Sequence, residues 1–159
     1  MLDVIFAIKF VHLLAAAAMF GVWLCLAVFM LLAHRSGNTS VVALTSQFVV
    51  SVEKMVMIAA IALLPLSGFP LASAIGLPPL DELWIDISIV LYAVVVGCWI
   101  AAFRIEIGIR GIAREAALDA ARLPEAYRRL FRRWRLLAVP ILTSMMFIIA
   151  LMIWQPRFD

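Results

Sequence analysis

The stretch that decides the fold is Val4–Ala33, VIFAIKFVHLLAAAAMFGVWLCLAVFMLLA, about 30 residues interrupted only by Lys9 and His12. The hydrocarbon core of a bilayer, ~30 Å thick, needs about 20 helical residues to cross. It is also far longer than the ~7–15 apolar residues of a secretory leader, and Asp3 rather than a basic run precedes Lys9. The stretch reads as a retained first span, residues 4–33.

Working outward, the pattern repeats. His34-Arg35-Ser36-Gly37-Asn38 makes a polar turn, after which Thr39 or Ser40 can cap a second helix. The second span is 48–67, with Glu53 and Lys54 near one end. Pro65, Gly68 and Pro70 predict the end of that helix, because proline lacks an N–H and glycine frays the last turn. Phe69–Leu80, with Gly76, Pro78 and Pro79, then reads as a loop, re-entrant or interfacial. Asp81-Glu82 favours a helix start through the macrodipole, and span 3 covers 83–103. From Arg104 to Arg122 the residues Ile105, Ile109, Ile112, Ala113, Ala116 and Ala120 recur at helical spacing, so helix 3 is expected to run on past the membrane for about four turns. Leu123-Pro124 stops it, Pro124 and Glu125 suit the first turn of helix 4, and span 4 covers 136–154 with Pro140 as a place for a kink.

The fold class that follows is all-α: one domain, residues 1–159, an integral membrane bundle of four helices with a helical arm at 104–135 projecting into the cytoplasm. Composition agrees. The chain is 67% hydrophobic and 14% charged, against about 45–50% and 25% in soluble domains. A water-soluble core of this size is excluded, since much of that apolar surface would face water.

Basic residues set the expected orientation. If the spans alternate, one side holds only Lys9 and Arg157, and the other holds Arg35, Lys54, Arg104, Arg110, Arg114, Arg122, Arg128, Arg129, Arg132, Arg133 and Arg135. Two against eleven places both termini outside and the arginine-rich connections in the cytoplasm. A bacterial inner membrane, with periplasmic termini, is the setting expected. The run Arg128, Arg129, Arg132, Arg133 and Arg135, interleaved with Tyr127, Phe131 and Trp134, abuts a span; anionic headgroups are its expected partners at about 1 kcal/mol per basic residue, not nucleic acid. Trp84, Trp134 and Trp154 read as an interfacial aromatic belt, and Trp23 and Trp99 as packed between helices.

Ionisable groups inside a bilayer cost about 2.5–3.5 kcal/mol each and so mark candidate sites. They are Lys9, His12, Glu53, Lys54 and Asp86. His12 lies ~12 Å into span 1 at about 1.5 Å per residue, with Ala15, Ala16 and Met19 leaving room beside it. A neutral intramembrane histidine can ligate haem iron or simply be a hydrogen-bonded interior residue. Lys9 and Asp86 are possible supporting groups or an interfacial ion pair; Lys54 is explained by snorkelling; Met145, Met146 or a neutral Lys9 could supply a second ligand. His34, beside Arg35, reads as a surface residue. Cys25 and Cys98 read as small buried hydrophobes. No catalytic residue is assigned, because no metalloprotease, nucleophile-elbow, phosphate-loop or zinc spacing occurs.

Several stretches together carry a resemblance. Ile8-Lys9-Phe10-Val11-His12-Leu13-Leu14 with Gly21, and Val52-Glu53-Lys54-Met55 leading to Leu66-Ser67-Gly68, resemble helices of a group of small bacterial membrane proteins. That group contains the HemJ-type protoporphyrinogen oxidases, the copper-resistance D domain and a predicted integral membrane family of unknown function. Tyr127-Arg128-Arg129-Leu130-Phe131-Arg132-Arg133-Trp134, Pro140 and Met152–Pro156 are most similar to the last. The resemblance implies haem b on His12, the histidine implicated in haem binding and catalysis in the HemJ-type enzymes. Their third helix opens with Trp-Leu-His-x-Lys; here it reads Trp84-Ile85-Asp86-Ile87-Ser88, a departure that removes the expected partner, so the resemblance carries haem b more than porphyrinogen oxidation. Three functions stay open: a haem-associated redox protein; a non-enzymatic subunit or assembly factor with a membrane protein partner or as a homo-oligomer; and a metal or small-solute permease.

Overall fold

The computed structural model describes residues 2–77 and 82–156; Pro78, Pro79, Leu80, Asp81 and Arg157, which entered the expectations above, lie outside them. The described residues form four helices and no strand: α1 Leu2–Ser36, α2 Thr39–Ala74, α3 Leu83–Leu118 and α4 Glu125–Trp154. All four are long and apolar enough to cross a membrane.

The helices pack along seams whose buried residues alternate by three and four. On α2 these are Val42, Ser46, Val49, Glu53, Met57 and Ala60. On α3 they are Val95, Trp99, Ala102, Glu106, Ile109, Ala113 and Ala116. On α4 Tyr127, Phe131 and Trp134 begin the stripe and Ile141 and Met145 continue it. A mean period of 3.5 keeps one face of a helix against its neighbour at a shallow crossing angle. The opposite faces carry Leu44, Leu66, Phe147 and Ile153, exposed by 72%, 70%, 64% and 79%. In water such a surface would aggregate; in lipid it is simply solvated.

α1 packs mainly on α2 and α3 on α4; α2 and α3 join the two hairpins, while α1 barely meets α4. The Thr39 hydroxyl donates to the Ala121 carbonyl at 3.0 Å, tying the α1–α2 turn to the α3–α4 turn. Both turns therefore lie at one end, and the starts of α1 and α3 and the ends of α2 and α4 at the other. Arg35, Arg104, Arg114, Arg122 and the five arginines of α4 are all exposed, and they crowd the half that carries the turns.

Local expectations are corrected at three places. The cap of α2 is Asn38, whose side chain accepts from Ser40 N and Val41 N, not Thr39 or Ser40. Gly37, at φ 64°, makes the preceding reversal in the left-handed region that glycine enters without penalty. Second, α2 does not end at Pro65: it runs through Pro65, Gly68 and Pro70 to Ala74, so residues 69–74 are helix rather than loop. The reason is the solvent. Lipid offers no water to the carbonyls a broken helix would expose, so the chain keeps its ladder and finds a substitute donor. Here the donor is Tyr92 on α3, whose hydroxyl reaches the Ile61 carbonyl at 2.6 Å, the group that Pro65 leaves unbonded. Tyr92→Phe should therefore destabilise the bundle by about 1–3 kcal/mol, the cost of an unsatisfied buried carbonyl, seen as a lower unfolding midpoint in detergent. Third, the α3 extension is present but stops at Leu118, and Pro124 caps α4 from outside.

Candidate functional site

Two polar clusters interrupt the apolar seams, one near each end. The first is built on His12. Its Nδ1 lies 3.0 Å from Ser67 Oγ, and Ser67 gives its own hydrogen to the Leu63 carbonyl. The imidazole must then donate from Nδ1, which leaves Nε2 with its lone pair. The ring lies against α2 at Gly68: a Cβ there would stand 3.0 Å from Cε1 and 3.4 Å from Nδ1. The absence of a side chain on Gly68 is what lets the imidazole in. Beside it, Ala7, Ile8, Val11, Leu63, Leu66 and Ser67 line a shallow groove of about 280 Å³. Lys9 is exposed on α1, and Asp86 is partly buried in the first turn of α3. The neighbour at Nδ1 is thus Ser67, from the second helix. Met145 is buried and Met146 half exposed.

The second cluster lies deeper in the packing. Glu53 on α2 and Glu106 on α3 are 2% and 1% exposed, and their carboxyl groups come within hydrogen-bonding reach of each other. The Trp99 indole donates to Glu53 Oε2 at 3.1 Å, and the Trp134 indole to Glu106 Oε1 at 2.6 Å. Three helices thus meet at one polar centre. Two indole hydrogens do not saturate two carboxyl groups, and Glu106 Oε2, fully buried, has no donor among the described residues. Leaving a buried polar atom unpaired costs about 1–3 kcal/mol, so this oxygen is the unsatisfied point of the cluster. Lys54, Arg104 and Arg135 are exposed in neighbouring positions, which puts the pair at the level where the apolar faces of α3 and α4 give way to arginine.

Glu106 went unread in the sequence because its flanks, Arg104 and Arg110, suggested a solvated arm. The signal was there: Trp99, Ala102, Glu106, Ile109 and Ala113 share the seam spacing, so a carboxylate stood on a core stripe. Glu53, expected near the membrane edge, stands on the matching stripe of α2. Trp134, expected in the interfacial belt, is 1% exposed and faces inward, and Trp84 is also buried; Trp154 is exposed and Trp23 and Trp99 are buried, as expected.

His34 also departs from its surface reading. Its ring stacks on Phe131 at 3.8 Å and 15°, and Nδ1 meets the Tyr127 hydroxyl at 3.1 Å. It follows the apolar segment 4–33, next to the exposed Arg35. Partial burial, then the Arg135 and Arg128 charges, hold its imidazole below the ordinary value of 6.5. The neutral ring is the favoured form in the fold. Its contribution to stability is therefore complete above 6.5 and is lost as the pH falls through the lower folded value. Unfolding midpoints of the wild type should accordingly drop more between pH 7 and 5 than those of His34→Gln.

A bundle of four helices long and apolar enough to cross a membrane, with two polar clusters packed between them, defines an integral membrane protein. Residues 6–156 match the family of predicted integral membrane proteins designated DUF2269. The chain belongs to that family. No curated protein and no solved structure is detectably similar to it.

Proposed function

We propose that this protein is a proton-handling membrane carrier whose working centre is the Glu53–Glu106 pair, with the bundle set in a bacterial inner membrane, the arginine-rich end in the cytoplasm and both termini in the periplasm. The observation that carries this reading is the buried Oε2 of Glu106, which has no donor among the described residues and lies near a second carboxyl group. One hydrogen shared between the inner oxygens would complete the set that the two indoles leave unfinished. A proton suits the site better than a metal ion. Calcium takes about 6–8 oxygens and magnesium about six in octahedral array, whereas no third His, Cys, Asp or Glu joins any such group among the described residues. Carboxyl groups buried between the helices of a membrane bundle serve proton relays and coupled carriers. The permease class of function follows, with the transported solute left to assay.

The test is infrared spectroscopy of the full chain in lipid vesicles. The wild type should show the carbonyl band of a carboxylic acid that shifts in heavy water, and Glu106→Gln should abolish it. A wild-type spectrum without that band, or one unchanged by Glu106→Gln, overturns the reading.

A second reading, haem b on His12, is favoured by one observation: Ser67 meets the imidazole at Nδ1, which would direct an iron to Nε2. Haem would supply one-electron chemistry, and His12 would hold its iron. An iron-porphyrin absorption band that His12→Ala removes supports it; a featureless spectrum from protein made with ample haem rejects it.

A further inference from the structure

From the arginine-rich turn to the buried carboxyl groups runs an unbroken file of rings. His34 stacks on Phe131 with centroids 3.8 Å apart, Phe131 stacks on Trp134 at 5.4 Å, and the Trp134 indole donates to Glu106 at 2.6 Å. Tyr127 closes the outer end, with its ring 5.7 Å from His34 and 5.9 Å from Phe131. Tyr127, Phe131 and Trp134 share one stripe of α4 and are 1%, 2% and 1% exposed. Close-packed interiors transmit displacement rather than absorb it. We propose that His34 is a positioning residue for the carboxyl pair: a proton taken up by its imidazole at the arginine-rich surface is felt at Glu106 through Phe131 and the Trp134 indole.

The chemistry of the outer end makes His34 a two-state element. Burial keeps the Tyr127 phenol a hydroxyl up to about 12, so it serves as a hydrogen donor throughout the working range. With the imidazole neutral, the assignment that leaves no buried hydroxyl hydrogen unpaired has Tyr127 donating to Nδ1. A proton from bulk water occupies that same nitrogen. The bond must then reverse, and the tyrosine hydrogen loses its acceptor. The new cation also faces the guanidinium groups of Arg128 and Arg135 on α4, with Arg35 following it on α1. The first turns of α2, residues 39–52, carry no charge to offset them. A ring repelled on that side and released from Tyr127 shifts on Phe131, and the indole two contacts away follows.

This inference rests on the proton reading of the pair, and the experiment separates the two. The carboxylic acid band of the full chain in vesicles is titrated from pH 8 to 4 for the wild type, His34→Gln and Phe131→Leu. The wild type should show the band's position or intensity change in two steps, the upper one following His34. Both variants should retain the band and lose the upper step, Phe131→Leu with its histidine still in place. A two-step titration preserved in either folded variant overturns the coupling, as does a single step in the wild type. Absence of the band from the wild type, or its persistence in Glu106→Gln, condemns the proton reading itself. Circular dichroism of each variant establishes folding; should Phe131→Leu unfold, Tyr127→Phe, which removes only the hydroxyl, takes its place with the same expectation.

Discussion

Glu106→Ala should lower the unfolding free energy in detergent by about 2–5 kcal/mol, the range for emptying a buried site of this size, while Glu106→Gln should leave the fold near wild-type stability. The difference follows from what each substitution does to Trp134. Alanine removes the acceptor 2.6 Å from the indole nitrogen and opens a cavity in the buried seam. Glutamine keeps a carbonyl for the indole and presents N–H donors toward Glu53, so each hydrogen bond survives without an exchangeable carboxyl proton. Replacing a buried ionisable set with a neutral one of similar volume is often harmless or stabilising. Stability and proton handling should thus separate at one position: the Ala variant loses both, and the Gln variant loses only the second. Equal destabilisation by the two, in a reversible chemical titration, would mean that the carboxyl group is needed for folding alone.

At the other cluster, Gly68→Val should destabilise by about 1–3 kcal/mol, typical of an overfilled core, and should displace His12. Even the first carbon of a side chain would stand 3.0 Å from the imidazole Cε1. The ring cannot simply withdraw, because Ser67 holds its Nδ1 and α2 continues as helix on both sides. His12→Ala empties the space that the new side chain needs. The double variant His12→Ala/Gly68→Val should therefore be more stable than the sum of the single changes predicts, by at least ~0.5 kcal/mol, the scale of coupling between residues in contact. Additive single and double variants would show that the imidazole does not lie against Gly68 in solution. The same pair bears on the haem reading: a ligand histidine swung out by Gly68→Val would lose its iron, and colour would fall with it.

How legible this protein was depended on which solvent each residue answers to. The four spans were plain because lipid selects crudely and over long windows: Val4–Ala33 or Leu136–Trp154 could hardly be anything else. The prolines of α2 misled, since their usual effect as helix breakers assumes water at the broken carbonyl. Tyr92, thirty-one residues from Ile61, supplied what Pro65 withheld, and no local rule contains that contact. His12 stood out as a polar residue in an apolar run. Glu106 did not, because Arg104 and Arg110 flank it in sequence while its neighbours in space are Trp134 and Glu53.

By itself, then, the amino-acid order determined that this is a four-helix membrane bundle and where its arginines gather, because burying about 20 apolar residues at a time is a property of single segments. Only the tertiary structure decided which polar groups face one another. The heptad stripes of α2 and α3 each carry one glutamate, and whether two such stripes meet depends on how the hairpins dock, through the Thr39–Ala121 contact and the packing of side chains far apart in the chain. Pairing is a relation between helices, and a carboxyl group acquires its chemistry from the neighbour it is packed against.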